Sequence, residues 1–477
     1  MRAGSSDSQE ETSPGDSQER RESFRDPDGF IFRQEDHLYR AVKPAAIETL
    51  NSFLASPSGR SLSESNCLVR SWPAQAELPG WEVLEHEPVF FPSYPYEWPA
   101  EMLYTAGRLT LELAERILED GFGLKDATPY NILFRGARPV FVDMLSFERR
   151  APGDPIWLPY AQYVRTFLLP LARQRMGLGA ARDVFLANRD GLTPEQLYAV
   201  MPAWRRLLPP YLTLISIPAW SGRRAEQSGD LYTGRKEVSA ERARFTLRII
   251  LHGLRRQLDR LKPRGESSIW KGYESSRTHY GEEQIAAKKD FVERVLGEIK
   301  PRTVLDVGAN LGEFSAITAK AGASTVAIDS DAAAVSECFR RAETQNLDIL
   351  PLVIDFSRPS PAIGWRNEEH PSFLDRAMGR FDAVLMLAVV HHLTITERVP
   401  LDEIFTLAKG LTRDVLVVEH VACDDPMVQR LARGRDALYA HATRDFFEAQ
   451  CSAHFDLMCR EEIRGTRRTL YALRRRA

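Results

Sequence analysis

At 477 residues, with 43% hydrophobic side chains, the chain exceeds one ordinary domain and carries enough apolar surface for two cores. A net charge of −3 denies it the basic footprint that a nucleic-acid binder needs. Five scattered cysteines, Cys67, Cys338, Cys423, Cys451 and Cys459, lack metal-ligand spacing and fit a reducing cytoplasm, and no signal peptide or apolar run of about 18 residues marks a membrane span.

Residues 1–27 are rich in Ser, Glu, Asp, Gln and Arg without an apolar run, so a disordered tail is expected. Short apolar runs at Phe30–Phe32, Leu38–Val42, Cys67–Arg70 and Trp81–Leu84 read as strands of a small lobe. The aromatic and proline-rich stretch Phe90–Pro99 then leads, as a hinge, into a helix over about Ala100–Asp120. Leu109, Leu113 and Ile117 share one face of that helix.

Beyond it come Leu124-Lys-Asp-Ala-Thr-Pro-Tyr-Asn-Ile-Leu-Phe134 and Arg138-Pro-Val-Phe-Val-Asp143. Asp126 and Asn131 stand five residues apart around Pro129, and Asp143 follows twelve later at the end of an apolar strand. This arrangement resembles the catalytic loop and metal strand of protein-kinase-like phosphotransferases. The resemblance implies an α+β kinase-like domain over 28–262, accessory in role, with Asn131 and Asp143 holding magnesium if it binds Mg-ATP. Lys125 stands where that family has arginine, Met144-Leu145 replaces Phe-Gly, and no glycine-rich phosphate loop is visible, with Arg40 and Lys43 the nearest options for an ion-pairing lysine. The alternative is a turn in which Asp126 and Asn131 satisfy loop backbone and Asp143 caps a helix.

Ser221–Asp230 is polar and reads as a surface loop, and Arg242–Arg264 as a basic amphipathic helix with Phe245, Ile249 and Leu258 among its apolar positions. Its charge run is either a solvated outer face or a phosphate or membrane contact. Pro263–Ser267 is the best junction, which leaves 263–477 as a second domain. Trp270–Tyr273 and Thr278–Tyr280, ahead of a helix over Glu282–Ile299, either form a lid or pack that helix.

The densest signal follows. Thr303–Val307 reads as a buried strand running into a turn with Gly308 and Gly312, which opens a helix to about Lys320 with unpaired N–H groups free to meet a ligand. A second strand ends in Asp329, 21 residues past Gly308, the separation at which a carboxylate reaches two ribose hydroxyls. A dinucleotide site needs glycines at three positions, two of which are Asn310 and Glu313 here, so a pyrophosphate is poorly served. Asp306 instead places negative charge beside the turn, suited to a ligand with an ammonium and a sulfonium.

These residues resemble class I S-adenosylmethionine-dependent methyltransferases, whose first motif runs acid, glycine turn, acid. The resemblance covers roughly 264–477 and implies a Rossmann-like, seven-stranded α/β sheet. In that frame Asp355, after the third strand, meets the adenine amino group with Phe356 flanking the ring, unless Asp355 is a helix cap. Phe381–Val390 is of fourth-strand character and stops at His391-His392. Val415–Glu419 is a fifth strand, and Phe455–Met458 with Thr469–Leu473 an antiparallel closing pair. The cofactor set is thus Asp306, Gly308, Asn310, Gly312, Asp329, Asp355 and Phe356. His391 and His392 are candidate catalytic bases, with Glu419 behind them, or else packing groups.

The irregular loop Pro359–Trp365 is a further candidate for shaping the acceptor pocket. The Asp/Asn-Pro-Pro-aromatic signature of many amine methylases is absent, and no cysteine lies near the fourth strand, which points to oxygen or carbon of a small-molecule or carbohydrate acceptor. The two-part layout and the Pro-Ser-Pro loop are similar to bacterial methyltransferases grouped with a host-specific nodulation protein, implying modification of a glycan or secreted small molecule. A bifunctional kinase-methylase and a non-catalytic cofactor-binding protein are the competing readings.

Overall fold

The computed structural model describes residues 25–225, 238–264, 281–432, 434 and 443–476, less 36 and 77. Nearly all of the expected tail, the loop beyond Ala225, most of the 263–267 junction and the aromatics Trp270–Tyr280 lie outside the described residues. Contacts divide the chain into two compact units, 1–48 with 70–88, and 49–69 with 89–477. No helix among the described residues is long and apolar enough to cross a membrane.

The first unit carries a four-stranded antiparallel sheet of Gly29–Gln34, His37–Val42, Glu82–His86 and Ser71–Pro73, in that spatial order. Alternation puts Phe30, Phe32 and Ala41 on one face against Val83 and Trp81. Arg40 donates to His86 Nε2 at 3.1 Å. The expected third strand, Cys67–Arg70, is displaced. The strand starts at Ser71, while 67–69 belong to the second unit and pair with Phe141, whose N–H donates to Cys67 O and whose carbonyl accepts from Val69 N, both at 2.9 Å.

In the second unit, helix α1 (Ala100–Leu118) buries Leu109, Leu113 and Ile117 as its periodicity predicts. Helix α2 (Ala240–Arg260), capped by Ser239, lies along it. The buried stripe of α2 is Ala243, Leu247, Leu251, Leu254 and Leu258, so Phe245 and Ile249, expected among its apolar positions, face outward. Part of its basic face is engaged: Arg255 donates to Glu115 at 2.6 Å and Arg248 to Glu119 at 2.7 Å. Ser221–Ala225, expected in a loop, is the end of a helix begun at Ile217.

The seven-stranded sheet has strands β1 (Thr303–Val307), β2 (Ser324–Asp329), β3 (Ile349–Val353), β4 (Phe381–Met386), β5 (Thr412–Val421), β6 (Phe455–Glu462) and β7 (Arg468–Arg475). Their spatial order is 3-2-1-4-5-7-6, with β7 antiparallel to both neighbours and the first five strands parallel. β1 and β4 read as near-continuous apolar runs because helices cover both faces. The helices that matter below are α3 (Glu282–Ile299), α4 (Glu313–Lys320), α5 (Ala332–Gln345), α6 (Val390–Ile395), α7 (Leu401–Leu411) and α8 (Arg444–His454). Strand order reverses at β1, so a crevice opens at the carboxyl ends of β1 and β4, where open α/β sheets bind ligands.

The mixed α/β class is as expected, but a kinase-like fold for 28–262 is not established. Phe90–Pro99, expected as a kinase hinge, is instead packed against the C-terminal sheet. Phe91 lies 5.9 Å from Phe381, ring to ring. Arg376, at the end of a short helix over Phe373–Ala377, donates to both carboxylate oxygens of Glu97 and to Pro92 O.

Candidate functional site

A cavity of about 450 Å³ opens at the β1–β4 crevice. Asp306, Gly308, Asn310, Asp329, Asp355, Phe356, His391 and His392 all line it. These residues span 87 positions (392 − 306 + 1), and the parallel sheet assembles them because each lies at or just beyond the carboxyl end of its strand.

The turn after β1 is tightly built. Gly308 has φ +71°, and a Cβ there would meet Val389 Cγ2 at 2.3 Å. Gly312 does not line the cavity. It has φ +74°, and its missing Cβ makes room for Cys338 Sγ, at 2.3 Å, so it serves the approach of α5. The expected free N–H groups are also largely spoken for. Gly308 and Ala309 donate to Ile328 O at 2.9 and 3.0 Å, Asn310 to Asp329 Oδ2 at 2.9 Å and Gly312 to Ala309 O at 2.8 Å. With the amides of Gly308, Ala309 and Asn310 committed to β2, that part of the turn is no phosphate cradle, and what it offers a ligand is carboxylate.

Asp306 is buried and accepts from Ser315 Oγ at 2.6 Å. Burial raises its pKa to about 7, with the Ser315 bond opposing and the Asp329 charge adding to the rise. Asp329 accepts from Asn310 N and from Asp331 N, each at 2.9 Å, and its pKa too is raised, chiefly by burial. Among the described residues no cation pairs with either acid. One buried and one half-buried carboxylate without an ion pair are costly alone and become favourable beside a cationic ligand with hydroxyl donors.

Asp355 sits two residues past β3 and caps no helix. It accepts from Ser357 N at 3.0 Å, from Ser357 Oγ at 2.6 Å and from Arg358 Nε at 3.1 Å. These bonds turn it partly into its own loop, and they leave Phe356 against the cavity.

His391 and His392 do not end a strand, as their apolar approach suggested. β4 stops at Met386, the chain reverses through Ala388 at φ +54°, and both histidines lie in the first turn of α6. His391 is buried, its Nδ1 has no hydrogen-bond partner among the described residues, and its pKa is lowered to about 3 by burial, then by His392 and Arg468. It is therefore neutral at physiological pH.

Three charged residues of this site are not evident in the sequence as a group. Lys288 of α3 and Arg468 of β7 line the cavity, and both donate to fully buried Glu419 of β5, at 2.7 and 3.3 Å. Burial pulls the Lys288 pKa down while Glu419 opposes. One signal existed: Lys288 falls between Ile285 and Val292 on the apolar face of α3, where a cation needs a buried partner.

In the N-terminal half, Asn131 ends a short 3-10 turn, its carbonyl accepts from Val142 N at 2.9 Å, and its Nδ2 is buried without a partner. Asp143 begins the next turn at the same open end of the hairpin, on the strand opposite Asn131. Asp126 accepts from Gln162 Nε2 at 3.1 Å. No group of three or more His, Cys, Asp or Glu side chains among the described residues could hold a metal.

No family model matches the chain. Among solved structures it is similar to the N-methyltransferase NodS from Bradyrhizobium japonicum WM9, at 14% identity and TM-score 0.31 over 41% of this chain and 98% of that one. Magnesium protoporphyrin IX methyltransferase (ChlM) from Synechocystis PCC 6803 matches at 15% identity and TM-score 0.31, over 43% and 94%. Along nearly its whole length, 463 residues and 95% of each chain, the sequence is 30% identical to the nodulation protein NoeA of Rhizobium meliloti (strain 1021). An identity of that extent spans both halves of the molecule, so the chain belongs to the family of nodulation protein NoeA.

Proposed function

We propose that the C-terminal sheet binds S-adenosylmethionine and transfers its methyl group to oxygen or carbon of a small-molecule or carbohydrate acceptor. The observation that carries this is the pair Asp306, buried, and Asp329, half-buried at the tip of β2, two carboxylates with no ion pair among the described residues, flanking a turn in which the amides of Gly308, Ala309, Asn310 and Gly312 already donate within the protein. Asp329 has lone pairs left for the ribose hydroxyls, Asp306 faces the ammonium side, and Phe356 flanks the adenine.

Bound S-adenosylmethionine supplies an already activated methyl group, so the chain's task is to hold the acceptor in line and keep water out. His391, neutral and with Nδ1 unpartnered, takes a proton from the acceptor hydroxyl or activated carbon. Glu419 lies close enough to favour the imidazolium that forms, while His392 and Arg468 oppose it.

Calorimetry with S-adenosylmethionine tests the reading. Asp329→Ala, which removes hydrogen bonds to the ribose, is expected to weaken binding by about 10- to 100-fold. Absence of binding by the wild-type protein, or equal binding by Asp329→Ala, removes the methyltransferase assignment.

A further inference from the structure

A second cavity, of about 460 Å³, adjoins the cofactor crevice and shares His391 with it. Helix α6 is the partition. Val390, Thr394 and Ile395 face the second cavity, while His392, Leu393 and Thr396 face the cofactor side. His391 alone of α6 lines both. Behind α6, Glu419 lines the second cavity and receives hydrogen bonds from Lys288 and Arg468 on the cofactor side.

The walls of this cavity are mostly apolar, from Val421, Val428 and Phe447 among others. Its buried polar groups carry little net charge. Glu419 is paired with two cations, and His420, whose ring lies 4.7 Å from Phe447, has its pKa pushed down to about 4 by burial. Arg398 is exposed, at the rim. With Arg398 at the rim the one lining cation without a buried acid beside it among the described residues, the apolar interior suits apolar bulk that carries a hydroxyl at one end better than a phosphate or sugar acid.

We propose that this chamber is the acceptor site, and that it holds the uncharged, apolar portion of the methyl acceptor, an aryl ring or short aliphatic chain, so that its hydroxyl meets His391, the α6 side chain that lines both cavities. The proposal rests on the S-adenosylmethionine reading above and adds to it the chemical class of the acceptor. A purely polar sugar would leave the chamber unfilled, whereas a glycan or small molecule bearing an apolar substituent fills it.

The test uses the full chain and two probes, S-adenosylhomocysteine by calorimetry and the neutral fluorophore N-phenyl-1-naphthylamine by fluorescence. Cys423→Trp adds bulk from a half-buried wall position, and Val428→Phe does so from a buried one. Saturable fluorophore binding is expected in the wild type, weakened by at least about tenfold in both variants, with homocysteine-product affinity unchanged within about twofold. If the product binds but the fluorophore does not, or binds equally in whichever variants fold, the chamber proposal is overturned and the cofactor reading stands. Failure of the product to bind the wild type overturns both.

Discussion

Asp306 makes the sharpest statement at the scale of a single residue. Its carboxyl is raised to about 7 mainly by burial, so near neutrality it is partly protonated in the free protein. A cationic ligand favours the ionised form, so binding drives the proton off. Affinity for S-adenosylmethionine is therefore expected to rise with pH through about 7, by up to about tenfold between pH 6 and 8, with proton release visible as a buffer-dependent heat. Asp306→Asn should bind weakly and independently of pH. The same shift has a stability consequence of opposite sign. Because the folded pKa lies above the unfolded one, ionisation between about pH 4 and 7 favours the unfolded chain, by a few kcal/mol at most. Asp306→Asn should thus raise the denaturation midpoint at pH 8 and leave it unchanged near pH 4, and equal midpoints at pH 8 would show that the burial penalty is relieved elsewhere. His391 behaves differently. With its pKa lowered to about 3 it stays neutral across the usable range, so the turnover number should show no acid limb near the ordinary histidine value. Tritium transfer from labelled cofactor into a cell extract, lost in His391→Ala while product affinity is kept, checks its role as base. Transfer by His391→Ala at the wild-type rate would assign the histidine to packing.

Among elements, the turn between β1 and α4 is the most constrained. Gly308→Ala places a methyl group at 2.3 Å from Val389 Cγ2 on a backbone with φ +71°. The left-handed conformation alone costs about 1–2 kcal/mol, and the overlap adds to it. Loss of cofactor affinity with a lowered melting temperature is expected, and Val389→Ala in the same chain should restore part of it, since it relieves the overlap and not the φ. Calorimetry on the single and double variants reads this directly. The turn was also the most legible part of the sequence, because strand, glycine and acid recur at fixed local spacing and each strand end delivers its residue to one edge. Legibility fails where the information is not local. Leu387 to Val390 is apolar at either period, so the end of β4 at Met386 and the reversal at Ala388 could not be seen, and the histidines were expected on a strand end. Lys288 and Glu419 lie 131 residues apart, and no spacing rule joins them. The second cavity is likewise written only in the packing of α6 against β5.

At the scale of the molecule, the N-terminal half is bound to the C-terminal sheet through charge buried where sequence reading expected a hinge. Glu97 is fully buried and Arg376 nearly so, with Ser360 Oγ also donating to the carboxylate. The guanidinium lies 5.1 Å from the Phe91 ring centre and 4.9 Å from that of Tyr94. Further along, Glu101 of α1 accepts from Arg340 at 2.7 Å and from Ser336 at 2.6 Å, both on α5, and α5 is the helix that Gly312 admits behind the cofactor turn. The contact therefore reaches the site through α5, and loosening it should be felt there. Arg376→Met keeps the stem against its aromatic neighbours and strands Glu97 without its cation, which costs about 3–5 kcal/mol. Adding Glu97→Gln removes the stranded charge, so the double variant should unfold at higher denaturant concentration than Arg376→Met alone. A double variant no more stable than the single one would mean that water already reaches Glu97. Cofactor affinity measured alongside should fall in Arg376→Met and recover in the double variant, if the seating of α5 is what the N-terminal half contributes to the site.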